Sequence, residues 1–266
     1  MDEEKRFAAP RRRRGVYLLP NLFTTATLFG GFYAIIAAMN AKFSHACIAV
    51  AVAMAADSLD GLVARKTNTA SEFGKEYDSL CDMVAFGVAT SIVMYSFSLH
   101  YLSAHEWLGG KLGWLAAFLF TACAALRLAR FNVLASRGGA KGNFFGLPSP
   151  GAAAVLIGFV WMSDRFGWRG STLVLPAVIL TIGAGILMVT NLRFFSIKTI
   201  RLTQRVPFRY IVFSVGVLAL FCIEPPLTFF LIFFSYALSG PVLWLYGRAR
   251  RPAAAAVAAP REPPAL

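Results

Sequence analysis

Asp57-Ser58-Leu59-Asp60-Gly61-Leu62-Val63-Ala64-Arg65, followed after eight residues by Gly74 and then by Asp78 and Asp82, is the stretch whose reading decides the fold. It holds four of the thirteen acidic residues, and long apolar runs flank it on both sides. On helices, Asp57 and Asp60 stand at i, i+3 and Asp78 and Asp82 at i, i+4, so each pair projects from one face and the two pairs can converge. A carboxylate near the middle of a bilayer costs about 3 kcal/mol on insertion scales, so four without partners cost on the order of 10 kcal/mol. Arg65, Lys66 and Lys75 are the cations at hand, but three monovalent side chains do not draw four carboxylates into one site. One or two divalent cations do. Clustered carboxylate oxygens are hard ligands that favour Mg²⁺ or Mn²⁺ over zinc. A solvated charged loop is the plain alternative, and it gives no reason for two helical pairs separated by two glycines.

The rest of the chain is organised for a bilayer. It has 266 residues, 58% of them hydrophobic, and a mean hydropathy of +0.62, more apolar than a packed soluble core requires. The net charge of +13 is carried by residues that interrupt apolar segments, so anionic lipid is the expected partner and nucleic acid is not. Cys47, Cys81, Cys123 and Cys222 are isolated and read as small buried hydrophobes. Apolar runs at about 16–39, 44–64, 83–103, 112–131, 149–163, 172–191, 209–223 and 227–247 predict an all-α integral membrane protein, a polytopic bundle of about eight transmembrane helices. The first is too long for the apolar segment of a secretion signal. Asn21, Thr24, Thr25 and Thr27 near its start are polar for lipid-facing positions and are expected to face the interior, where they can bond between helices.

The positions of Lys and Arg test that count separately. With both termini in the cytoplasm, 22 of the 26 fall in cytoplasmic segments, and Lys42, Lys111, Arg165 and Arg169 alone lie outside. This puts the aspartate window on the cytoplasmic side. Trp107, Trp114, Trp161 and Trp168 then sit near the outer ends, as an aromatic belt does. The expected organisation is a basic cytoplasmic segment at 1–16, a membrane core at 17–200, two further helices at 201–247, and a disordered Ala- and Pro-rich cytoplasmic tail at 248–266.

The eight specified positions, Asp57, Asp60, Gly61, Ala64, Arg65, Gly74, Asp78 and Asp82, resemble the signature of the CDP-alcohol phosphatidyltransferase family. Pro20 to Thr24, Arg127 to Asn132 and Gly146 to Pro150 resemble its bacterial serine-using branch, so the likeness covers about residues 17 to 200. The resemblance implies a six-helix core, here with two helices added, in the inner membrane. It implies transfer of the phosphatidyl group from CDP-diacylglycerol to L-serine, with release of CMP, by a homodimer. Asp57, Asp60, Asp78 and Asp82 would hold Mg²⁺ or Mn²⁺, as two ions, and Asp82 would also be the base. Gly61, Ala64, Arg65, Gly74, Asn21, Thr24, Arg127 and Arg130 would line the substrate site.

The residues themselves fit that chemistry. A substrate with a pyrophosphate is repelled by bare carboxylates and attracted once metal inverts the field. His45, His100 and His105 all fall near the expected outer face, so a base must be a carboxylate. Arg127 and Arg130, at i, i+3, can clamp a phosphate or an acceptor carboxylate, or simply snorkel at the membrane edge. Gly61 and Gly74 are equally at home in tight helix packing. Other acceptors, such as glycerol 3-phosphate, inositol phosphate or choline, would suit the same arginines. A cation transporter also needs helices and buried carboxylates, but it wants them near the midplane and along a path.

Overall fold

A computed structural model of the chain describes residues 18–67, 72–104, 109–136, 146–192, 194 and 208–257, and every element among them is helical. Helix α1 (Leu18–Met39) turns through Asn40 to Lys42 into α2 (Phe43–Thr67), and α3 (Glu72–Asp82) follows. The chain then passes without a break through a π-helical segment, Met83–Ala89, into α4 (Thr90–Phe97), and a short 3₁₀ stretch, Leu99–Ala104, leads to α5 (Gly109–Ser136). The order closes with α6 (Ser149–Arg165), α7 (Val174–Val189), α8 (Phe208–Ile223) and α9 (Pro225–Val257).

All eight apolar runs appear as helices. Among the described residues, five helical stretches are long and apolar enough to cross a membrane: 21–39, 43–63, 72–97, 111–134 and 225–246. Helices α6, α7 and α8 have 17, 16 and 16 residues. The run expected at 83–103 is only part of a rod that starts at Glu72, an acid well placed against the positive end of the helix dipole. The stretch expected to be a disordered tail from 248 is instead helical up to Val257, where Ala253 to Ala256 supply the strongest helix formers. The expected basic segment at 1–16 and residues 258–266 lie outside the described residues.

Lipid offers helices no hydrophobic reason to associate, so close backbone contact and interhelical hydrogen bonds must hold the bundle. Helix α1 supplies the contact with Gly31, where a Cβ would lie 2.6 Å from the Cα of Ala85 in the π-helical segment. Thr27 adds a buried hydrogen bond of 3.3 Å to the Ala53 carbonyl of α2. Helix α6 is the axis of the fold, buried along most of its length from Ser149 to Ser163. It packs against α2, α4, α7 and α9, and at Gly158 the backbone of Phe230 from α9 comes within 3.0 Å of where a Cβ would be. The turn before α6 is fixed by Gly146, whose φ of +83° and position against the Met188 carbonyl leave no room for a side chain.

The two ends of the bundle differ chemically. At one end Asp164 accepts from the Ser44 backbone N–H (3.1 Å) and hydroxyl, capping the start of α2, and Arg165 meets Glu224 at 3.5 Å. An open pocket of about 630 Å³ lies here, lined by Tyr95, His100, Tyr101, Asp164 and Trp168 among others. The motif aspartates occupy the opposite end, where α1 begins.

Candidate active site

Four helices bring the site together. Helix α2 carries Asp57 and Asp60 in its last turns, and α3 carries Asp78 and Asp82 in its own last two turns. Oxygens of Asp57, Asp60 and Asp78 lie within 4.8 Å of one another, close enough to share one cation. Asp60 is buried, 6% exposed, and its Oδ2 accepts from the Thr24 hydroxyl of α1 at 2.9 Å. That bond ties the carboxylate to α1. Asp82 sits one helical turn beyond Asp78, beside Asp57, and its Oδ1 is buried with no hydrogen-bond partner. A buried carboxylate oxygen left bare is costly unless something else engages it. Three gathered carboxylates and a fourth bare oxygen form a hard, all-oxygen donor set, and the residues present fit a divalent metal.

The π-helical segment begins directly after Asp82. Such a segment changes the rotational phase of a helix, so that Asp82 faces the cluster while Ala85 a few residues on packs against Gly31.

The other expected site residues divide. Thr24 is in the cluster, and the Thr25 hydroxyl lies 3.1 Å from the Tyr77 hydroxyl of α3. Asn21 is half-buried one turn before, its carbonyl accepting from Thr25 at 2.7 Å. Gly61 and Gly74 are half-buried on the two aspartate helices. The side chains of Ala64 and Arg65 lie outside the described residues. Arg127 of α5 lies within electrostatic range of Asp82 and Asp57 and donates a short hydrogen bond to the hydroxyl of Ser149, which is fully buried at the start of α6. Arg130 takes a different partner, the Oδ1 of Asn191 at 2.7 Å on an exposed face. The two arginines therefore serve two places, because three residues along a helix leave about 60° between their directions.

Four residues that the sequence reading did not single out belong here: Tyr77, Ser149, Asn191 and Tyr236 of α9, whose ring lies over Gly151, two residues from Ser149. Asn132 ties α5 to α3, its amide donating to Ser79 at 2.9 Å and to Glu76 at 3.5 Å.

The model of the CDP-alcohol phosphatidyltransferase family matches residues 17–190, which include every motif aspartate and both arginines. The chain belongs to that family. Among its relatives, the CDP-diacylglycerol–serine O-phosphatidyltransferase of Helicobacter pylori (strain ATCC 700392 / 26695) is 33% identical over 234 residues, 87% of this chain and 92% of that one. A Mycobacterium leprae protein of the same description is 33% identical over 239 residues, 85% of this chain and 75% of that one. The archaetidylserine synthase of Methanothermobacter thermautotrophicus is 35% identical over 178 residues, 66% of this chain and 69% of that one. A likeness covering 87% of the chain extends beyond the family model and into α9 wherever it starts.

Proposed function

We propose that this protein transfers the phosphatidyl group of CDP-diacylglycerol to L-serine, giving phosphatidylserine and CMP. The observation that carries the reading is the approach of Asp57, Asp60 and Asp78 to within 4.8 Å, with the bare oxygen of Asp82 alongside. The serine reading is supported by the acceptor in the names of the relatives. Bound Mg²⁺ or Mn²⁺, two ions in this reading, supplies positive charge against the pyrophosphate and against the oxygen that leaves with CMP.

The protein's own residues do the rest. Asp57, Asp60 and Asp78 hold the metal centre at the mouth of the bundle, and Thr24 keeps Asp60 from turning away. Asp82 accepts the proton of the serine hydroxyl. The serine oxygen then bonds to the phosphorus that carries diacylglycerol, the bond from that phosphorus to the CMP oxygen breaks, and CMP departs. Arg127 receives the serine carboxylate, for which a guanidinium is the matched partner. Gly61 and Gly74 leave room for the nucleotide near the backbone, with Ala64 and Arg65 around it by the match to the family motif and Asn21 by the likeness of Pro20 to Thr24. Arg130, held by Asn191, lines the approach to the site.

In the same reading the aspartate end faces the cytoplasm across the inner membrane, supported by the 22 of 26 basic residues that this orientation places inside. Six helices form the core, α8 and α9 add two spans, and the protein works as a homodimer, which sizing in detergent tests. The reaction is tested with L-serine labelled with ¹⁸O in its hydroxyl. The label should appear in the lipid product and not in CMP. Label in CMP would mean that the serine oxygen is not the nucleophile.

A further inference from the structure

Helix α3 carries half of the aspartate motif, and the way it faces is set locally. Directly after Asp82 the rod enters the π-helical segment, which changes the rotational phase of a helix, so the run of α4 does not dictate the rotation of α3. Side chains on its flanks do. On one flank the Tyr77 hydroxyl lies 3.1 Å from that of Thr25 on α1. On another, half-buried Asn132 of α5 donates from its amide nitrogen to the Ser79 hydroxyl at 2.9 Å, and the Glu76 carboxylate lies 3.5 Å from the same nitrogen. Ser79 in turn donates to the Lys75 carbonyl of its own helix at 3.1 Å, which leaves its oxygen lone pairs for the amide. Glu76 and Ser79 are neighbours at i, i+3, so one amide holds α3 along a full turn.

We propose that Asn132 is a positioning residue for the metal centre: its amide fixes the rotation of α3 and so keeps Asp78 with Asp57 and Asp60. This rests on the metal-centre reading above. Ser79 follows Asp78 directly, about 100° further round the helix, so a turn of α3 that parts Ser79 from Asn132 also swings Asp78. Oxygens of Asp57, Asp60 and Asp78 lie within 4.8 Å of one another, and without a cation their like charges favour any motion that separates them. The bond to Asn132 opposes that motion. Losing it lowers the fraction of molecules in which the three carboxylates are gathered, and the apparent metal affinity falls with that fraction. Asn132 acts through α3 and touches neither metal nor substrate.

The test is the Mg²⁺ concentration that gives a set rise in the melting temperature of detergent-solubilised protein, measured for wild type, Asn132→Ala, Ser79→Ala and the double variant. Each single variant should need about fivefold more Mg²⁺, the worth of one neutral hydrogen bond, and the double variant no more than Asn132→Ala alone. Ser79→Ala removes only the hydroxyl, so it carries the test should Asn132→Ala fail to fold. A requirement within about twofold of wild type, whatever happens to the melting temperature in EDTA, would make Asn132 a packing residue and overturn the inference. Effects that add in the double variant would show that Asn132 does not act through Ser79 and would overturn it as well. Wild-type protein that Mg²⁺ does not stabilise sinks the metal-centre reading and the inference with it. Stabilised wild type with unaltered variants sinks the inference alone.

Discussion

Neutralising Asp60 should stabilise the protein in chelator while abolishing its response to metal. Oxygens of Asp57, Asp60 and Asp78 lie within 4.8 Å of one another. At an effective dielectric constant of about 20, two charges at that separation repel by about 3 kcal/mol. Asp60 enters two of the three pairs, so Asp60→Asn removes as much as about 7 kcal/mol of formal repulsion. Asp57 and Asp78 are half-buried, and water at the mouth of the bundle screens most of this, leaving about 1 to 2 kcal/mol. The amide keeps a carbonyl oxygen for the Thr24 hydroxyl, so the bond to α1 survives. Thermal unfolding of detergent-solubilised protein in EDTA should show Asp60→Asn melting about 3 to 6 °C above wild type. With Mg²⁺ the order reverses, because wild type gains a ligand for its native state and the variant does not. If Asp60→Asn melts below wild type in EDTA, and Mg²⁺ leaves wild type unmoved, the carboxylates are not held together against their repulsion and the metal-centre argument is refuted.

Three further outcomes are expected. Thr24→Val, which loses a buried hydrogen bond to an acid, should cost about 1.5 to 3 kcal/mol in kcat/KM, and activity within about twofold of wild type would show that Asp60 needs no anchor. Gly31→Ala places a Cβ 2.6 Å from the Ala85 backbone and should destabilise the fold by about 1 to 3 kcal/mol; an unchanged melting temperature would mean that α1 is free to shift. A cysteine placed at Lys75 should react with a membrane-impermeant maleimide only after cells are permeabilised, and strong labelling of intact cells would put the aspartates on the wrong face.

The aspartate pairs were legible because helical spacing alone puts i, i+3 and i, i+4 residues on one face, and each pair lies within a single helix. That the aspartates could gather around a divalent cation was legible from their donor chemistry. Which helices meet was not. Thr24 reaches Asp60 from 36 residues away, and Ser149 reaches Arg127 from 22, and nothing in the spacing of either hydroxyl names its partner. Tyr236 is one aromatic among many on α9, and only packing distinguishes it from its neighbours. The pairing of Arg127 with Arg130 misled for a related reason: they share a helix edge, but Ser149 and Asn191 draw them apart. The π-helical turn after Asp82 leaves no mark in composition. The Ala-rich end of α9 was misjudged by weighing its lack of bulky residues over the helix propensity of alanine.

The most direct measurement of the central claim is CMP release by purified protein given CDP-diacylglycerol, Mg²⁺ and one acceptor at a time. L-serine should support turnover that EDTA stops and added Mg²⁺ or Mn²⁺ restores, and Asp82→Asn should leave no measurable release. Turnover with glycerol 3-phosphate or inositol phosphate and none with serine would contradict the account, as would serine-dependent release that persists in chelator.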